Sequence, residues 1–150
     1  MNRSRSSEVS IVKKQVSSHQ QGKMAGLAVV VMAAGLGKRM RSKQAKVLHP
    51  VAGQAMVLYS VGLGLRVAGE RVAVVVGHQA DLVRQVIDRA TSGKSGSAPV
   101  AIVEQREQLG TGHAVLQSRP VFAVGKRGAP SNYLILNGDT PLLQETTVRE

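Results

Sequence analysis

Apolar positions along the chain follow two alternating patterns. Short, largely β-branched runs recur at 27–33 (LAVVVMA), 71–76, 100–103 and 132–136. Runs this short, apolar at most positions, predict strands buried on both faces. Between them, apolar residues recur three and four apart. In 55–68, Met56, Tyr59, Leu63 and Val67 share one helical face, although Gly62 and Gly64 weaken that helix. In 79–90, Leu82, Val83, Val86, Ile87 and Ala90 form a second such face. Residues 111–117 predict a third helix, and 144–150 begin a fourth. Residues 91–98 (TSGKSGSA) read as a loop.

Strands alternating with helices predict an α/β fold: a mostly parallel, Rossmann-like sheet, doubly wound, with helices on both faces. Ligands bind such sheets beyond the carboxyl ends of the strands, where the strand order reverses. Chemistry is therefore expected after the first, third and fourth strands. The fourth strand is expected at an open edge, which invites association.

Residues 1–23 break the pattern. They are polar, rich in Ser, Gln and base, and lack apolar periodicity, which predicts a disordered basic tail. No apolar segment of signal-peptide type follows the arginines, and no run approaches the length of a membrane span. The folded part is expected at 24–150. The chain has no Cys, which excludes disulfides, thiolate metal sites and Cys nucleophiles, and fits a cytoplasmic location.

The 150 residues carry a formal net charge of +11. Five basic side chains lie between Lys38 and Lys46, a cluster that attracts phosphate. The only aromatics are Tyr59, Phe122 and Tyr133, too few to stack single-stranded bases, so no nucleic acid is expected as partner.

Four segments at the expected strand ends carry candidate chemistry. Ala33-Ala34-Gly35-Leu36-Gly37-Lys38-Arg39-Met40 follows the first strand. Its glycines let backbone N–H groups approach phosphate, though a tight turn would use the same residues. It is not a dinucleotide fingerprint, because Met40 stands where the third glycine belongs. Likewise, Gly93-Lys94-Ser95 does not close a P-loop, because Asp88 stands where the leading glycine belongs. Lys46, in KQAKVLH, lies on the expected ligand side; a solvated surface lysine is the alternative. After the third strand comes EQREQLGTGHA. Gln105 there offers donor and acceptor together, which suits a base edge. Gly110-Thr111-Gly112 opens a helix whose free N–H groups favour an anion or a base carbonyl, with Thr111 as a helix cap the alternative. His113 has no Asp or Ser partner in sequence and is expected to be structural. Asn137-Gly138-Asp139 follows the fourth strand, where Asp139 could hold Mg²⁺ against a triphosphate or simply form an Asp turn.

Taken together, MAAGLGKRM (32–40), AKVLH (45–49), AGQAM (52–56), QREQLGTGHA (105–114) and NGDTPL (137–142) resemble bacterial N-acetylglucosamine-1-phosphate uridyltransferases. The likeness runs from about Leu27 to the end. It implies a fold of the nucleotide-diphospho-sugar transferase type, with UTP and N-acetylglucosamine-1-phosphate as substrates and Mg²⁺ as cofactor. Position by position, it implies that the backbone of Met32, Ala33, Ala34 and Gly35 wraps the uridine. Arg39 and Lys46 would hold the triphosphate. Gln105, Gly110 and Thr111 would read uracil. Asn137, Gly138 and Asp139 would meet the ribose and phosphates, with Asp139 the metal ligand. Ala45 stands where the family has Pro, which would leave Lys46 less rigidly held. Asn137 stands where Tyr is commoner, Lys38 replaces Thr, and Met32 replaces Leu.

The resemblance also implies a longer protein, with sugar-binding residues, a second metal ligand and an acetyltransferase β-helix beyond residue 150. Family members oligomerise through that later domain. Three function classes stand: a sugar-1-phosphate nucleotidyltransferase, with this sugar and base or another pair; a module that binds nucleotide without turnover; and, from the basic charge alone, a nucleic-acid-binding protein.

Overall fold

Seven apolar residues in a row, Leu27–Ala33, form β1, the strand around which the rest is arranged. The computed structural model describes residues 22–35, 37, 40, 42–92, 100–122 and 129–150. The expected tail therefore lies outside the described residues as far as position 21, as does most of the expected loop at 91–98.

Chain order continues with a 3-10 turn at Lys46–Leu48, then strands β2 (Pro50–Val51) and β3 (Gln54–Ala55). Helix α1 (Met56–Ala68), β4 (Val72–Val76) and α2 (Ala80–Thr91) follow. The remaining elements are β5 (Val100–Glu104), α3 (Thr111–Gln117), β6 (Asn132–Asn137) and α4 (Glu145–Arg149). All four expected strands and four expected helices are present. The expected ends shift by a residue: Ala55 belongs to a strand rather than to α1, and Thr91 ends α2 rather than starting a loop. The β2–β3 hairpin was not expected. Its turn residues Ala52 and Gly53 have φ of 48° and 81°, the doubly left-handed turn that suits a two-residue hairpin loop.

The main sheet has the order β5-β4-β1-β6, and every pairing is parallel. The chain steps outward from β1 to β4 to β5, then returns to place β6 on the other side of β1. The order thus reverses between β1 and β6. Among the described residues β6 pairs only with β1, and its Tyr133 and Ile135 are each 41% exposed, so it is the expected edge.

Alternation along β1 separates two cores. Leu27, Val29, Val31 and Ala33 join Val72, Val74 and Val76 under α1 and α2. Ala28, Val30 and Ala34 join Ala73 and Val75 under Ala114 of α3 and Phe122. The sheet is therefore covered on both faces, as a doubly wound α/β fold requires. Gly64 explains itself here. A Cβ at that position would lie 3.1 Å from Val29 Cγ1 and 3.3 Å from Val72 Cγ2, so glycine lets α1 lie close on the sheet.

Helix α4 is fastened to α1 by charge. Arg66 Nε donates to Glu145 Oε2 at 3.0 Å, and Arg149 Nε to Oε1 at 2.8 Å. Burial pushes the Glu145 carboxyl up, but the bonds and charges of Arg149 and Arg66 outweigh it and hold the group below its usual range. A carboxylate depressed in this way contributes stability above the ordinary carboxylate range and loses it as pH falls through the depressed value.

Candidate functional site

The carboxyl ends of β1, β5 and β6 open onto one cavity of about 330 Å³. It lies at the β1/β6 pair, where strand order reverses, which is the position open α/β sheets give to their ligands. Nine of the sequence-selected residues line it: Met32, Ala34, Gly35, Lys46, Gln105, Gly110, Thr111, Asn137 and Asp139. Two others do not. The Ala33 side chain turns into the core under α1, and Gly138 continues the ladder, its N–H donating to Met32 O at 2.9 Å. Arg39 lies outside the described residues, as does Lys38.

Lys46 is placed by its own short turn. Val47 and Leu48 are buried and anchor it. Gly37 has φ +58°, and a Cβ there would lie 2.8 Å from Lys46 Cβ, so only glycine lets the first loop pass this close. The Ala45 position is firmer than the missing proline suggests. Its N–H donates to Gln79 Oε1 at 2.7 Å, a bond proline could not make, while Gln79 Nε2 donates to Lys43 O at 2.5 Å. Gln79 itself sits in the left-handed region, φ 56° and ψ 38°. This clamp holds the backbone just before Lys46 by hydrogen bonds in place of a proline ring.

Across the cavity mouth, Lys46 Nζ lies 2.5 Å from Asp139 Oδ2, with side chains 42% and 29% exposed. So the lysine is not simply a solvated surface group. Asp139 lies in the turn after β6 and also lines the cavity, so both readings of that residue describe it. That turn is anchored through the Asn137 carbonyl, which accepts from buried Ser60 Oγ and from Thr140 Oγ1, each at 2.8 Å.

Gln105 stands at the end of β5. Its backbone N–H donates to Val76 O at 2.7 Å, extending the ladder by one residue. The residue is only 5% exposed. Nε2 donates to Gly110 O at 3.1 Å and lies 3.0 Å from His113 Nδ1. Thr111 does not cap α3: the cap position is Gly110, and no side-chain cap bond forms. His113 does not line the cavity, and among the described residues it meets no acid.

Several residues at the site escaped the sequence. Gln108 lines the cavity, and its Nε2 donates to Ala34 O at 3.0 Å, tying the glycine loop to the β5 side. Gly77, just after β4, faces the same carbonyl: a Cβ there would lie 2.9 Å from Ala34 O and 3.0 Å from Ala34 Cβ. A glycine closing a strand beside the first strand is a weak signal, but a readable one. Gln79 carries no local signal, because the segment it clamps is more than thirty residues away.

Among the described residues, no three His, Cys, Asp or Glu side chains cluster to hold a metal. Mg²⁺ is commonly held by one or two carboxylates plus substrate phosphates, so one cavity carboxylate, Asp139, fits an ion that arrives with a polyphosphate. It does not fit a free-standing metal cage. No described helix is long and apolar enough to cross a membrane.

A family model for MobA-like NTP transferase domains matches residues 29–150. The chain is 44% identical over 124 residues to a "Bifunctional protein GlmU" from Solibacter usitatus, covering 82% of the chain and 24% of that protein. It is 43% identical over 121 residues to the protein of the same name from Cupriavidus metallidurans, covering 81% and 24%. With the one from Pseudomonas paraeruginosa it shares 42% identity over 123 residues, covering 82% and 24%. The chain thus spans about a quarter of the length of these curated relatives.

Proposed function

Because the chain belongs to the MobA-like NTP transferase domain family, and so to nucleotidyltransferases, we propose that its cavity takes UTP and transfers UMP to N-acetylglucosamine-1-phosphate. The products are UDP-N-acetylglucosamine and pyrophosphate, a nucleotide sugar that serves cell-wall building. Residues 24–150 are the first part of that nucleotidyltransferase domain, preceded by the basic tail, and the reaction belongs in the cytoplasm. The observation that carries this reading is the grouping of a buried amide, Gln105, with Lys46 and Asp139 in one cavity at the switch point. An amide suits the edge of a base, and a cation with a carboxylate suits a metal-bound triphosphate. The motif resemblance over 105–114 favours this base and sugar over other pairs, and the similarity to proteins named "Bifunctional protein GlmU" supports the family reading it rests on.

In the reaction, a phosphate oxygen of the sugar phosphate attacks the α-phosphorus of UTP. The bond to the bridging oxygen breaks, and its electron pair leaves with pyrophosphate. No covalent enzyme intermediate is needed. Gln105 and the Gly110–Thr111 backbone hold the base, Asn137 meets the ribose, and Gly35 lets the loop backbone approach the nucleotide. Lys46 neutralises phosphate charge, and Arg39 would add to it. Mg²⁺, held by Asp139 with the phosphates, would supply Lewis-acid charge neutralisation at the triphosphate. Catalysis of this kind is positioning plus electrostatics. Binding without turnover is the second reading, favoured by a single carboxylate in the described cavity.

Replacing Gln105 with Ala should lower UTP affinity by about tenfold and bring UTP and CTP close to parity, the cost of one well-placed hydrogen bond in a buried site. Calorimetric titration of the variant with both nucleotides checks this. A variant that still prefers UTP as strongly as the parent chain would remove Gln105 from base reading.

A further inference from the structure

His113 lies behind the cavity wall, between two glutamines. Its Nδ1 is 3.0 Å from Gln105 Nε2, and its Nε2 is 3.0 Å from Gln117 Nε2. A neutral imidazole has one donor nitrogen and one acceptor, so it cannot accept from both amides. The Gly110 carbonyl decides between them. It lies 3.1 Å from Gln105 Nε2. If the Gln105 amide were turned over, Oε1 would face that carbonyl, oxygen against oxygen. Gln105 must therefore keep its NH₂ towards Gly110 and His113, one hydrogen for each. Nδ1 is then the acceptor and Nε2 carries the proton, and Gln117, only partly buried, turns its oxygen to receive it, giving up the longer 3.4 Å contact of its Nε2 with the His113 carbonyl. Amide orientation follows from this hydrogen-bond logic.

One consequence reaches the cavity. With both Nε2 hydrogens used inside the protein, Gln105 presents only Oε1 to a ligand, and no described group donates to that oxygen. We infer that His113 is a positioning residue for base recognition: it fixes the Gln105 amide so that the cavity meets an acceptor, which selects a base offering a ring N–H, as uracil does at N3. Cytosine offers a lone pair at the same ring position, which an acceptor repels. This inference rests on the uridine reading above, and it adds a residue that never touches the nucleotide.

The test compares His113→Leu with His113→Asn. Leu fills the space without an acceptor. Asn can place Oδ1 where Nδ1 stands, so it should rescue. Both variants and the parent chain are titrated with UTP and CTP by calorimetry, after circular dichroism and melting curves. The ¹⁵N–¹H signals of the Gln105 side-chain amide are followed without nucleotide. In the parent chain both amide protons should exchange slowly and UTP should be preferred. His113→Leu should speed amide exchange and reduce the UTP-to-CTP affinity ratio by about five- to tenfold, as expected for one misdirected hydrogen bond. His113→Asn should restore both. A folded Leu variant with the parent's ratio overturns the inference while leaving the uridine reading in place. An Asn variant that behaves like Leu overturns it as well. If Leu unfolds the chain, fast amide exchange in the parent overturns it, and slow exchange together with a retained ratio in the Asn variant supports it. A parent chain with a protected amide and no preference for UTP sinks the uridine reading, and the specificity claim with it.

Discussion

Replacing Asp139 with Ala should abolish the Mg²⁺ dependence of UTP binding and leave the fold intact. The side chain is partly exposed, and its described ion-pair partner is Lys46. Losing such a pair costs stability of no more than about 1 kcal/mol. Its effect on ligands is larger. In the parent chain, without metal, the carboxylate both repels a triphosphate and occupies the lysine. Metal reverses the sign of the carboxylate's contribution, so Mg²⁺ should raise UTP affinity by about tenfold or more. In the variant the ratio of affinities with and without Mg²⁺ should fall to about one, and binding in EDTA should be no weaker than that of the parent. If the chain turns over, pyrophosphate release should slow about 100-fold or more, since metal stabilisation of transferring phosphate is worth several kcal/mol. Calorimetry in Mg²⁺ and in EDTA reads the first effect. Unchanged Mg²⁺ linkage would place the metal elsewhere.

A Gly77→Val variant should be damaged in both stability and binding. The atoms that a Cβ would meet belong to the Ala34 backbone and Cβ, which cannot swing aside as a flexible side-chain end would. Overpacking of this kind costs about 1–3 kcal/mol, which for a domain of this size lowers Tm by about 3–11 °C. The displacement falls on the carbonyl that Gln108 holds and on the start of the glycine loop. UTP affinity should therefore drop even below the melting transition. A melting curve and a UTP titration check the pair. An unchanged Tm with unchanged affinity would show that the β1–β4 end adjusts freely.

Much of the fold was legible because its strands are short, β-branched and separated by helical periodicity. Strand order was not written in any one segment, yet alternating elements in a doubly wound sheet led to the correct strand ends. The β2–β3 hairpin was hidden because two-residue strands carry no periodicity; Ala52 and Gly53 make its turn, and Tyr59 Oη donates to Val51 O to hold it. Ala33 belongs to the site motif through its backbone. Its alternation with Leu27, Val29 and Val31 puts its side chain in the core, but a strand buried on both faces masks that alternation. The cavity residues were legible where a motif carries its own chemistry, as in Gln105, Lys46 and Asp139. They were illegible where a residue acts through a distant partner. Gln79 clamps a segment far upstream, and Gly77 matters only because Ala34 lies against it. His113 was expected to be structural; its two amide neighbours show what it touches.

We propose that the cavity at the β1/β6 switch point is a uridine nucleotide site. This is tested most directly by titrating the chain with UTP, CTP and ATP, each with and without Mg²⁺. UTP should bind most tightly, and Mg²⁺ should strengthen its binding. Equal affinity for all three nucleotides, or no binding by a chain shown to be folded, would contradict it.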